Sequence, residues 1–550
     1  MMKRQIFVFW MFVALVVPNF ALASDPEVKI TAAERKMAAE ITAKQLSDYL
    51  HFVASDAMGG RDTPSQGLDI TAEFLAMNLR SWGFKPAGDN GTYFQKMRLS
   101  GKEINPDNVK VSIDGKDYKY EDDFFVQGGS GKASGDAVFV GNGWKVPSKG
   151  IDAYKGLDVK GKIVVIDADS FNGRGFNPPE GVTPEEIKAD KDSNSPLEYA
   201  KNAGASAVIL ATPPRIQAAW GQLKRFFSGG RLSVDGLNGN PREGTAGAKE
   251  SMPVILLSKP ITDKLLEGTD GKATDLNKNV SIDAVATQKT NSTQNVVAIW
   301  EGSDPKLKEE MVAIGAHYDH VGTRENPTGD SIYNGADDDG SGTVAVLAIA
   351  QALAKAKVRP KRSVLFVWHA GEEKGLWGSE FFNKFPTVDI SKVVAQLNID
   401  MIGRSLNTSD EIVKCDAKTR KPCNEELSKP NEIYVIGSEM MSSTLGAITK
   451  ETNDGYLKIQ YNLKYDDPKD PNRFFFRSDH FNYALNGIPI VFWFDGVHLD
   501  YHQPGDEPDK IDYQKMEKVT QTIFLTLWEV AQLAERPKLD KQLPPELTRR

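Results

Sequence analysis

Cysteine is scarce in this chain, with 2 residues among 550. That scarcity and the spacing of Cys415 and Cys423 exclude a CxxC-type structural zinc site. A basic stripe is also missing. The formal charge is −8, which argues against a nucleic-acid partner, because phosphate binding requires clustered lysine and arginine. No polar low-complexity tract and no internal repeat is present. No histidine is followed by glutamate, so the HExxH zinc-protease signature is absent, and no GxSxG nucleophile elbow occurs. Histidine itself is rare at 7 residues, yet six of the seven fall between His317 and His502.

The first residues have their own character. A basic start, Met1-Met2-Lys3-Arg4, precedes an apolar run from Ile6 to Val17, and Ala21-Leu22-Ala23 supplies a small-x-small cleavage pattern. That is the form of a secretory signal peptide over residues 1–23. The apolar run is too short to span a bilayer comfortably, so no retained membrane span is expected. The mature protein is expected to be exported, to a periplasm or the extracellular space, after cleavage near Ala23. In an oxidising compartment Cys415 and Cys423 are a candidate disulfide, worth roughly 2–3 kcal/mol on the loop-entropy account.

A chain of this length exceeds one ordinary core, and its texture changes along its course. Residues 24–125 open with helical spacing, notably over Gly67 to Leu79, and form an N-terminal segment of the catalytic domain. Residues 126–285 alternate short β-branched runs with Gly, Pro and Asp, carry neither His nor Cys, and read as a β-rich insertion. From 286 to 540 strands such as Met311 to Gly315, Ser363 to Trp368 and Val393 to Ile399 alternate with helices at Thr343 to Lys357 and Asp512 to Ala534. Residues 541–550 form a tail. That alternation implies an α/β fold, a mixed sheet with helices on both faces.

The acidic and histidine motifs follow strands, where open α/β sheets build their sites. His317 stands two residues before Asp319, which is placed to orient the imidazole. Asp338 is the centre of three aspartates flanked by glycines. Glu372 and Glu373 read as the end of a buried strand, one directed at a metal and the other at water, a ligand and a general base from one dipeptide. Asp400 follows another apolar run, and His502 lies in Tyr501-His502-Gln503-Pro504. Imidazole and carboxylate are the ligands zinc selects. Two histidines and three carboxylates suffice for two ions sharing a bridging carboxylate, which together activate one water.

In order, His-x-Asp, Gly-Ala-Asp-Asp-Asp-Gly-Ser-Gly, Gly-Glu-Glu-x-Gly-Leu-x-Gly-Ser, Asn-x-Asp-Met-x-Gly-Arg and Tyr-His-x-Pro resemble the co-catalytic di-zinc aminopeptidase family. Its relatives include secreted bacterial leucyl aminopeptidases, glutamate carboxypeptidase II, glutaminyl cyclases and the transferrin receptor. The resemblance runs from about Ser292 to Ile511. It implies a zinc-dependent exopeptidase with two zinc ions, acting on a peptide with a free N-terminus. His317 and Glu373 would bind opposite metals, Asp338 would bridge, Asp400 would join the first and His502 the second. Glu372 matches the family's general base, and Tyr501 a tyrosine that assists the oxyanion in some members. Gln503 and Gly505 depart from the pattern without touching a ligand. His320, His369 and His498 are expected to lie outside the ligand set. Residues 160–165 and 202–209 resemble a protease-associated domain within the insertion. A carboxypeptidase or dipeptidase on the same scaffold, a glutaminyl cyclase, and an inactive binding ectodomain stand as alternatives.

Overall fold

The computed structural model describes residues 28–172, 175–227, 231–237, 251–324, 329–415 and 422–548. The leader read over residues 1–23 lies outside them. The chain divides into two compact units, one of residues 1–95 with 294–550 and the other Lys96–Thr293.

The larger unit is organised by parallel strands. Ser363–His369, Met311–His317, Val393–Ile399 and Ile490–Phe494 lie side by side in that order, all parallel. Residues 296–300 pair antiparallel to the outer edge of Ser363–His369. Glu432–Ile436 pairs antiparallel to the other end of the set. The first three parallel strands are buried along their whole length, as continuous apolar runs require when both faces of a sheet are covered. On one face Ala313, Leu365 and Val367 share a core with Phe382, Phe481 and Tyr483, the latter three from helices Trp377–Lys384 and His480–Leu485. On the other, the Trp368 indole N–H donates to the Thr343 carbonyl at 3.0 Å, docking helix Gly342–Lys355. Helix Tyr513–Gln532 packs against that helix and against Ala43–Val53. Helices cover both faces of a mixed sheet, in line with the alternation in the sequence.

Parallel strands bring their C-terminal ends to one edge. His317 closes its strand, Glu372 and Glu373 fall in the turn just after Ser363–His369, and Asp400 follows Ile399 directly. The glutamates therefore stand beyond the strand they had been expected to end. A turn frees the two adjacent side chains from the strict alternation of a strand.

The smaller unit is built on a seven-stranded sheet in the order Ser251–Leu257, Ala207–Ala211, Ile163–Asp167, Phe124–Phe139, Thr274–Ala284, Lys110–Ile113, Lys116–Tyr118. Ser251–Leu257 also pairs antiparallel with the first half of Phe124–Phe139, so four of the strands close on themselves. Helix Pro196–Asn202 ends before Gly204, whose φ of 81° turns the chain into the strand Ala207–Ala211. Lys110–Ile113 pairs with Thr274–Ala284 in this sheet. Back in the larger unit, Cys415 and Cys423 are bonded, with Cα atoms 5.1 Å apart.

Candidate metal centre

The turn after His317 and the loop bearing three aspartates are the foundation of the site. Each aspartate has a separate task. Asp337 accepts the Gly403 N–H at 2.7 Å, and its other oxygen lies 3.4 Å from His498 Nε2. Asp339 Oδ1 accepts the N–H groups of Gly342 (2.9 Å) and Met401 (3.1 Å), while Oδ2 accepts that of His317 (3.2 Å). Asp339 thus ties the His317 strand end to the residue after Asp400. Gly342 makes room for this carboxylate, since a Cβ there would come within 2.4 Å of Oδ1. Asp338 lies between these two, its main-chain N–H held by Asp506 at 3.1 Å, and its side chain joins the histidines. Three adjacent acids are tolerated because two are consumed by main-chain donors.

Asp338 belongs to two overlapping donor sets, each within 4.8 Å: His317, Asp338 and Asp400, and His320, Asp338, Glu373 and His502. In the first, His317 Nε2 is 3.3 Å from Asp338 Oδ1 and 3.6 Å from Asp400 Oδ2. In the second, His502 Nε2 is 3.0 Å from Asp338 Oδ2 and 3.1 Å from Glu373 Oε1. His317, Asp338 and Asp400 are all buried. All five sequence-expected ligands converge, joined by His320, whose Nδ1 is 3.0 Å from Glu373 Oε1. His369 sits apart, 3.0 Å from the Tyr483 hydroxyl, and His498 lies against Asp337.

Asp319 adopts a position different from a simple His–carboxylate pair. His317 Nδ1 lies 3.1 Å from the Asp319 main-chain oxygen and 3.7 Å from its carboxylate. The main-chain acceptor places the proton on Nδ1 and leaves the Nε2 lone pair facing Asp338 and Asp400. The Asp319 carboxylate instead accepts the Glu372 N–H at 3.1 Å. Glu372 lines a cleft of about 210 Å³ together with His317, Asp338, Glu373, Asp400, Arg477 and Tyr501. Tyr501 stacks on the His502 ring at 4.0 Å and accepts a hydrogen bond from Arg477 Nη2 at 3.1 Å. Phe474, Phe492, Phe494 and Met401 form the apolar wall of the same cleft.

The donor sets fit divalent cations. Among the described residues, the partners of Asp338, Glu373 and Asp400 within ion-pair distance are all imidazoles. Buried carboxylates need a cation. Burial disfavours charge on His317, but Asp400 and its neighbours overcome this and raise its pKa well above the usual range. His502 is raised likewise against its burial, by Tyr501 and Glu373. The site draws positive charge onto whatever group can carry it, and zinc would meet that demand with ligands of its preferred type. Glu372 is raised well above the usual carboxylate range, first by burial and then by Glu373, Asp400 and Asp479.

Sequence reasoning missed two residues. Arg61, fully buried, donates from Nε to the Tyr318 carbonyl (3.0 Å), from Nη1 to those of Val53 (2.8 Å) and Asn334 (2.7 Å), and from Nη2 to that of Gly335 (2.8 Å). It braces both ligand-bearing loops at once. The other is His320. Its signal was its place one residue after Asp319, in a loop already rich in donors.

Residues 295–527 match Peptidase family M28. The leupeptin-inactivating enzyme 1 of Streptomyces exfoliatus is 33% identical over 208 residues, which cover 36% of this chain and 40% of that protein. Aminopeptidase Y of Saccharomyces cerevisiae is 37% identical over 136 residues, 24% of this chain and 22% of that one. The chain thus spans less than half the length of either relative. An aminopeptidase from Aneurinibacillus sp. strain AM-1 shares the fold, with a TM-score of 0.51 at 16% identity over 93% of this chain and 98% of that one. The similarity to Peptidase family M28 lies over residues 295–527, less than half of the chain.

Proposed function

We propose that the protein is an exported di-zinc aminopeptidase that hydrolyses the first peptide bond of substrates with a free N-terminus. The observation that carries this reading is the sharing of Asp338 by two convergent donor sets. His317 and Asp400 would hold one ion, Glu373 and His502 the other, with Asp338 between them. Bound there, the ions would polarise the scissile carbonyl and acidify the attacking water.

The remaining work belongs to side chains of the cleft. Glu372, fixed through its main chain by Asp319, takes the proton of the attacking water on its carboxylate and delivers it to the departing amine nitrogen. The Tyr501 hydroxyl, oriented by Arg477, donates a hydrogen bond to the developing oxyanion. The apolar wall of Phe474, Phe492, Phe494 and Met401 receives an uncharged side chain. The Cys415–Cys423 bond, in keeping with an oxidising compartment, and the basic-then-apolar first residues support export. The unit Lys96–Thr293 is proposed as a protease-associated domain, which its closed strand order and the segments 160–165 and 202–209 support.

Aminoacyl-nitroanilides test the activity against N-blocked peptides and peptides with free C-termini. Chelator-sensitive chromophore release from the free-amine probes alone is expected. Trimming of N-blocked peptides from the C-terminus, or cyclisation of N-terminal glutamine without peptide cleavage, would replace this reading with a carboxypeptidase or a cyclase.

A further inference from the structure

We propose that His320 is a sixth protein ligand of the centre, binding through Nδ1 the same ion as Asp338, Glu373 and His502. This rests on the two-metal reading above. Donors bonded tetrahedrally to zinc at the usual distances lie about 3.3 Å from one another. Here Asp338 Oδ2 is 3.0 Å from His502 Nε2 and 3.8 Å from His320 Nδ1. Glu373 Oε1 is 3.1 Å from His502 Nε2 and 3.0 Å from His320 Nδ1. These separations bracket the tetrahedral edge.

Close as they are, these contacts are not aligned hydrogen bonds. Among the described residues, Glu373 Oε1, His502 Nε2 and both ring nitrogens of His320 are buried with no hydrogen-bond partner. Leaving so many buried polar atoms unpaired is costly, and donors that face a common point rather than each other are what a cation requires. The His320 ring is also fixed in place. It is fully buried, its main-chain N–H donates to the Arg61 carbonyl at 3.1 Å, and it lies over Gly335. A Cβ on Gly335 would come within 2.4 Å of the ring.

The two pockets are therefore unequal. Among the described residues one offers four protein donors and the other three. An ion held with His320 would be the more firmly retained of the two.

The test uses full-length protein loaded with cadmium, with nitrogen-labelled histidine, and reads metal-to-nitrogen NMR couplings. In the wild type one ion is expected to couple to two histidine rings, His502 and the Nδ1 of His320, and the other to one. His320→Ala should remove a single coupling and release that ion at a chelator concentration at least about tenfold lower. Two bound ions with only two histidine couplings, or a third coupling that survives His320→Ala, would overturn the assignment while leaving the two-metal reading intact. A protein that holds no cadmium overturns both.

Discussion

Replacing Arg61 by methionine should destabilise the protein although Arg61 touches none of the proposed ligand atoms. The guanidinium donates four hydrogen bonds of 2.7–3.0 Å to main-chain carbonyls, three of them in the loops that carry His317 and Asp338. Burial pulls its pKa down to about 10, against the opposing pull of Asp319 and Asp506, so it is charged at neutral pH. Each buried acceptor left without a partner costs about 1–3 kcal/mol. Summed over four carbonyls this overshoots, because the variant also escapes the cost of burying a charge. The net loss expected is about 3–5 kcal/mol, as when one partner is removed from a buried charged network. Urea unfolding of the metal-stripped protein, followed by tryptophan fluorescence, measures it without a contribution from bound ions. Arg61→Lys, with three donors on a single nitrogen, should fall between wild type and Arg61→Met. An Arg61→Met protein within about 0.5 kcal/mol of wild type would refute the role of Arg61 as a brace.

Other outcomes follow from the same geometry. Glu372→Gln should lower kcat by about 10²–10⁴ with metal content unchanged, as turnover and elemental analysis together would read. Arg477→Ala and Tyr501→Phe should each lower kcat at least about tenfold, and the double variant should lose little more than either, because Arg477 acts through Tyr501. Glu310 pairs with Arg362 at 2.8 Å and Arg536 at 2.7 Å, and these cations outweigh its burial and lower its pKa. A carboxylate depressed in the folded state stabilises above its unfolded pKa of about 4.3. Glu310→Gln should therefore be less stable by about 1–3 kcal/mol at neutral pH, and the difference should vanish as pH falls through the lower folded value. A gap that persists in acid would contradict the ion-pair account.

The sequence was most informative where chemistry and periodicity coincide. Apolar runs shortly before Glu373 and Asp400, and the one closed by His317, marked parallel strands whose ends share an edge, so their convergence followed from topology. Asp339 was harder to read. Nothing local distinguishes it from Asp338, and its task depends on the N–H groups of His317 and Met401, one 22 and the other 62 residues away. His320 looked like a bystander because its direction is set by Gly335, whose φ of 57° and missing Cβ admit the ring. Arg61 is remote in sequence from every loop it holds except that of Val53. Spacing put Asp319 beside His317 with its carboxylate on the imidazole, but the nearer contact runs through its main chain, which spacing does not reveal.

The pairing of two ions across Asp338 is tested most directly by anomalous diffraction from crystals of the purified, zinc-loaded protein. Two peaks per chain are expected, about 3.5 Å apart, with one Asp338 oxygen on each. A single peak, or two peaks of which only one contacts Asp338, would contradict the account.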